Sequence, residues 1–189
     1  MKKEFELQYG LLKKSIICSN AQYVTPIDST ALKSTSNEII LGHLSNLGFG
    51  KGLAQVFKVC LGLKETGIPF KLILAGPPEN AEASAYVKKI IVELGTACEY
   101  LGKVDGIMKK TFYSSIDIFL FPSNYKNEAQ PNVLFEAHAF GIPTIAAEIG
   151  CISEEVNICN GFVFKNQQEY VSDAISSITE LHHKPEKLR

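Results

Sequence analysis

The sequence predicts an α/β fold built on a doubly wound parallel sheet of six strands, and two observations carry that expectation. From Glu38 onward, short apolar runs alternate with longer stretches in which apolar residues recur at helical spacing. A chain patterned in this way covers a parallel sheet with helices on both faces, and such sheets bind ligands at the carboxyl ends of their strands.

Strands are expected at Ile39 to Leu44, Phe70 to Ala75, Cys98 to Leu101, Ile116 to Phe121, Thr144 to Ala147 and Gly161 to Phe164. Between the first two, Lys51 to Lys64 sets Leu53, Val56, Phe57, Cys60, Leu61 and Leu63 at helical spacing, and Ala81 to Leu94 does the same through Ala83, Val87, Ile90, Ile91 and Leu94. Gly106 to Ser115, Pro131 to Phe140 and Gln167 to Leu181 complete the helices. Residues 1–37 are the least regular part, with a short apolar core at Ile16 to Cys18 and a Ser/Thr/Pro/Asp-rich run from Thr25 to Asn37 that is a linker by composition. Lys13 to Val24 reads as the last strand of a preceding domain or as a linker, so the folded unit is placed at 38–189.

Composition removes several classes. At 46% hydrophobic and 21% charged, with a net charge of −1, the chain reads as an ordinary soluble globular protein without the basic excess that nucleic acid demands. No apolar run approaches the roughly 20 residues that span a bilayer. Lys2 and Lys3 are followed at once by Glu4 and Glu6, which is not a signal peptide, so a cytoplasmic location is expected. The cysteines (Cys18, Cys60, Cys98, Cys151, Cys159) are odd in number and form no C-x-x-C pair, as reduced, mostly buried thiols would. His182 and His183 fall in a polar tail that reads as disordered and lack metal-ligand partners; His138 reads as a packing or solvent-facing helix residue. No Asp-x-Asp motif occurs, and no metal site is expected.

Function concentrates between Pro122 and Pro143. The strand ending at Phe121 runs into a polar loop carrying Glu128, and a helix follows that carries Glu136 eight residues later. Pro131 suits the first helical position, having no amide hydrogen to satisfy, while Gly141 and Pro143 stop the helix. The helix N-terminus opens onto the Glu128 loop with unpaired amides and a positive dipole end, a place to hold an anion. A second such place follows the first strand, where the run from Gly42 to Gly52, with Gly48 inside it, leads through Lys51 directly into a helix. Lys51 there would favour a diphosphate, a charge-assisted contact contributing roughly 1.5 to 3 kcal/mol.

Pro122, Ser123, Tyr125, Asn127, Glu128, Pro131, Glu136, Ala137, Gly141 and Pro143 together resemble the E-x(7)-E signature of the retaining glycosyltransferases of family 4, which have the GT-B fold. The loop before Lys51 is similar to that family's Gly-Arg-Leu-Ser start and Lys-Gly end, with Gly42, Leu44 and Ser45 aligned, but His43 stands at the arginine and the stretch before Lys51 is longer. The resemblance implies that Glu136 accepts hydrogen bonds from ribose hydroxyls and that Glu128 faces the donor sugar, binding its hydroxyls and stabilising positive charge at the reacting carbon. It implies further that the main chain at Ala129, Gln130, Asn132 and Val133 meets sugar or diphosphate, Pro131 having no amide to offer. The turn at Gly76 would line the donor cleft, and the backbone of Lys103 and Val104 would meet the base. A protonated His43, Lys103 or Lys126 would supply the charge that the arginine does not.

The family's enzymes carry a second Rossmann-like domain that holds the acceptor, so the resemblance implies that residues 1–37 are a linker or a remnant of that domain. The expected donor is a UDP- or GDP-linked hexose with no further cofactor, and the acceptor a glycan or lipid-linked saccharide. The missing half would hold the acceptor and any peripheral contact with the cytoplasmic face of a membrane. Two alternatives stay open: a degenerate half acting as an interaction module, and half of a sugar-nucleotide epimerase.

Overall fold

The structure, a computed structural model, describes residues 2–14, 16, 18–24, 38–157, 160–165 and 168–184. Helix α1 spans Lys2–Tyr9 and a 3-10 turn spans Asn20–Tyr23, capped by the Ser19 hydroxyl, which accepts from the Ala21 amide. The described residues between 13 and 24 hold that turn and no strand; the linker run from Thr25 to Asn37 lies outside the described residues.

From residue 39 the alternation is regular: β1 Ile39–Leu44, α2 Leu53–Thr66, β2 Phe70–Ala75, α3 Ala81–Leu94, β3 Cys98–Tyr100, α4 Gly106–Ser115, β4 Ile118–Phe121, α5 Asn132–Ala139, β5 Thr144–Ala147, α6 Ile152–Glu155, β6 Gly161–Phe164 and α7 Tyr170–His183. The strands pair in parallel in the order β3-β2-β1-β4-β5-β6. This is the six-stranded, doubly wound, Rossmann-like sheet that the apolar patterning predicts.

Successive strand residues point to opposite faces, and each face has its own core. Ile118 and Leu120 pack with residues of α2, α3 and α7, whereas Phe119 and Phe121 pack with Phe112 and Tyr113 of α4, Leu134 and Ala137 of α5 and Ile152 of α6. Continuous apolar runs are therefore needed, because neither face of a central strand meets water.

Several boundaries move for local reasons. Strand β4 starts at Ile118 rather than Ile116, since Asp117 ties itself to β1 through both ends: its amide donates to the Ile40 carbonyl and its carboxylate accepts the Ile40 amide. Pro131 is not the first helical residue: with φ −69° and ψ 120° it caps α5 from outside. At the other end of α5, Gly141 has φ 67° and donates to His138, while Ile142 donates to Ala137, the reciprocal pair that ends a helix in a glycine. His182 and His183 are not a disordered tail but the last turn of α7. His138 packs half-buried, with Nε2 3.2 Å from the Thr144 hydroxyl. Cys60 and Cys151 are buried, Cys98 half-buried and Cys18 exposed; Cys159 lies outside the described residues.

Candidate functional site

The order of connection reverses between β1 and β4, which are neighbours in space but far apart in sequence. Loops leaving the carboxyl ends of two such strands diverge to opposite faces and leave a crevice between them. Five strands contribute loops to this edge, and short contacts stitch those loops together. Gly76 after β2 donates to the Gly102 carbonyl after β3 at 2.6 Å, and Leu47 after β1 forms a parallel bridge with Pro78. The Asn124 amide after β4 donates to Gly50 at 3.0 Å.

Gly52 makes the central stitch possible. Its φ is 82°, and a Cβ there would stand 2.2 Å from the Pro122 carbonyl oxygen, so only glycine lets the two loops approach this closely. Gly150, after β5 and with φ 57°, closes the other side, where a Cβ would stand 1.8 Å from the Glu128 carbonyl oxygen.

These approaches set Lys51 beside Glu128. Lys51 Nζ lies 2.7 Å from Glu128 Oε2, the Ser123 hydroxyl donates to the same oxygen at 2.8 Å, and the ammonium stands 4.4 Å from the centroid of the Tyr125 ring. The Glu128 side chain is 10% exposed and that of Lys51 27%, so the pair faces the crevice from a mostly sheltered position. An ammonium held by a carboxylate and an aromatic face is oriented and ready to exchange one anionic oxygen for another.

Helix α5 begins just beyond Glu128, and its first amides have no partner within the helix. Ala129, Gln130 and Pro131 precede it, half-buried; Asn132 is exposed and Val133 half-buried in its first turn. The Gln130 side chain is already engaged: Oε1 accepts the Asn20 amide at 3.1 Å and Nε2 donates to Glu155 at 3.0 Å. Its carbonyl accepts Asn20 Nδ2 at 2.8 Å, so the lead segment before the sheet is fastened to the Glu128 loop.

Glu136 lies on the α5 face that meets α4, held by Lys109 at 2.6 Å and Tyr113 at 2.8 Å. Gly48 lies against Glu79, whose carboxylate a Cβ at that position would strike. The Gly76 carbonyl accepts the Tyr100 hydroxyl at 3.1 Å. Val104 buries its side chain in the core of the α4 face, while Lys103 and Lys126 are exposed.

His43 requires a correction. It does not border the crevice as a cation but is fully buried, with Nδ1 2.9 Å from the Leu120 carbonyl and Nε2 3.0 Å from the Ser45 hydroxyl. Burial lowers its pKa to about 4, against the partial opposition of the Leu120 hydrogen bond. The ring is neutral at pH 7 and ties β1 to β4 from inside the sheet, so it supplies no charge in place of an arginine.

Lys109, Tyr113, Asn20, Glu155 and Glu79 escaped the sequence reading. Lys109 and Tyr113 stand one helical turn apart on α4, a spacing visible in the sequence; nothing in it says that Glu136 lies opposite.

The family model for glycosyl transferases group 1 matches residues 25–189. The chain belongs to that family. This group 1 glycosyl transferase chain is 32% identical over 133 residues to EpsF of Bacillus subtilis (strain 168), whose name assigns it to the glycosyltransferases; the match takes in 68% of this chain and 32% of EpsF. It superposes on HepE of Anabaena, solved in complex with UDP and glucose, with a TM-score of 0.65 and 22% identity over 80% of this chain and 40% of HepE. On sucrose-phosphate synthase from Thermosynechococcus elongatus the TM-score is 0.70 with 20% identity, over 100% of this chain and 49% of the synthase. The chain thus spans about a third of EpsF and less than half of each of these two structures. Its sheet is one Rossmann-like half of the GT-B fold. Among the described residues, no helix is long and apolar enough to cross a membrane.

Proposed function

We propose that this chain is the donor-binding half of a retaining glycosyltransferase that moves a hexose from a UDP- or GDP-linked donor to a glycan or lipid-linked saccharide. The observation that carries this reading is the Lys51–Glu128 pair at the crevice between β1 and β4. Lys51 and the amides at the start of α5 meet the diphosphate, with no metal or resident cofactor required. Glu128 faces the sugar, Glu136 accepts the ribose hydroxyls, and the backbone of Lys103 and Val104 lies against the base.

In the transfer the bond from the anomeric carbon to the diphosphate oxygen breaks, and its electrons leave with the nucleoside diphosphate. An acceptor hydroxyl forms the new bond on the same face and passes its proton to the departing phosphate oxygen. Glu128 stabilises the positive charge at the carbon between these events, where a fixed carboxylate acts more strongly than it would in water. The acceptor is held by the other GT-B half, which also makes any contact with the cytoplasmic face of a membrane.

Calorimetric titration with UDP and with GDP tests the reading. Lys51→Met removes the cation and leaves the Glu128 charge uncompensated, so nucleotide affinity is expected to fall about tenfold or more. Equal affinity in both proteins would take Lys51 out of the site. A second reading, an interaction module that no longer binds nucleotide, draws on the neutral, buried His43. It would be favoured by a melting temperature that millimolar UDP and GDP leave unmoved.

A further inference from the structure

Two side chains on one face of α4 hold both oxygens of the Glu136 carboxylate. Lys109 Nζ lies 2.6 Å from Oε1, and the Tyr113 hydroxyl donates to Oε2 at 2.8 Å, with the Val133 carbonyl a further 3.3 Å contact. The two residues stand four apart on the helix, so their side chains lie one above the other and grip the carboxylate from one side. Tyr113 is 1% exposed. Burial, then the Glu136 charge beside it, pushes its phenol far above the ordinary range, so the hydroxyl keeps its proton and donates it. The Glu136 side chain nevertheless remains 20% exposed.

A carboxylate offers roughly four lone-pair directions. Lys109 and Tyr113 take one on each oxygen, and the other on each oxygen remains. Two acceptors about 2.2 Å apart on one rigid group match two hydroxyls on adjacent carbons, the arrangement in a ribose and not in a deoxyribose.

We propose that Lys109 and Tyr113 are positioning residues that give this chain its preference for ribonucleotides, by clamping Glu136 so that its remaining lone pairs face a vicinal diol. The inference rests on the reading of Glu136 as the ribose acceptor. Unclamped, the glutamate side chain spreads over several rotamers, and a bound diol must then offset the ordering entropy.

The test is calorimetric titration of the whole chain with UDP and GDP and with their 2′-deoxy and 3′-deoxy counterparts. Wild type is expected to prefer the ribonucleotide about tenfold, the worth of one hydrogen bond to a charged acceptor. Lys109→Met and Tyr113→Phe are expected to bring that ratio close to one, by weakening the ribonucleotide while leaving the deoxynucleotides nearly unchanged. Lys109→Arg should restore most of it. A ratio that stays at its wild-type value in both variants overturns the inference while the reading of Glu136 survives. Loss of ribo- and deoxynucleotide together, with the ratio kept, marks a merely structural role and overturns it as well. A wild type that binds without preference removes Glu136 from the ribose, and the clamp with it; so does a wild type that binds neither nucleotide. Melting temperatures of the variants separate misfolding from these outcomes, and Lys109→Met, altering a partly exposed side chain, keeps the test available if Tyr113→Phe does not fold.

Discussion

Each of the two signature glutamates is paired with a lysine, and the two pairs are built differently. Glu128 and Lys51 stand 77 residues apart on two loops at the central switch of the sheet, and their approach depends on the backbone contacts between those loops. Glu136 and Lys109 stand 27 apart on two helices that share one packed face, with a buried tyrosine on the carboxylate's other oxygen. A loop-built pair can open without disturbing the core, whereas a helix-built pair can open only by side-chain rotation or by unpacking. The difference leaves the first pair freer to open and holds the second in place.

The largest expected effect comes from Gly52, on which only the loop-built pair depends. A branched residue there must adopt a left-handed backbone and also push the Pro122 carbonyl away. Together these costs give about 4 kcal/mol for Gly52→Val in urea unfolding. A midpoint close to wild type would show that the loops separate without penalty and that the first pair needs no stitching.

His43 comes next, because it ties β1 to β4, the two strands whose following loops carry the first pair. Its folded pKa of about 4 lies below the ordinary 6.5. A histidine kept neutral in this way stabilises the fold fully above pH 6.5, and that stability drains away as pH falls towards 4. On the order of 3 kcal/mol is at stake, from the gap between the two values. Stability measured from pH 7 to 4 should therefore fall more steeply in wild type than in His43→Asn; parallel curves would assign the acid loss to other groups.

The smallest effect compares the glutamates directly. Glu128→Gln strands a sheltered ammonium and is expected to cost about 1 to 2 kcal/mol, while Glu136→Gln, with a more exposed lysine, costs about 1 kcal/mol or less. Finding the reverse order by denaturant titration would make the helix-built pair the more structural of the two.

Much of the fold is legible in the sequence. β1, β2, β5 and β6 and helices α3 and α4 fall where the apolar periodicity sets them, since each is bounded by glycine, proline or a polar cap that ends one period and begins another. β4 was misjudged at its start because the Asp117 side chain, not an apolar residue, makes the first contact with β1. Helices α1 and α6 left no signal to read, one mostly polar in sequence, the other a single turn. Glu128, Glu136 and Lys51 were identifiable as candidates because they fall on the motifs that resemble the glycosyltransferase signature and its Lys-Gly loop. His43 was misplaced as a cation, since a sequence shows that a histidine follows a glycine and not that the neighbouring strand covers it.

Local chemistry alone determined where the chain turns helical or extended, where α5 stops, and which residues near the strand ends carry charge, because each depends on neighbours within a few positions. Only the tertiary structure decided which charges meet: that Lys51 faces Glu128, that Lys109 and Tyr113 close on Glu136, and that Asn20 fastens the lead segment to Gln130. Those pairings follow from the order β3-β2-β1-β4-β5-β6, which sets strands far apart in sequence side by side. No short-range rule contains that order, because it results from burying both faces of the sheet at once.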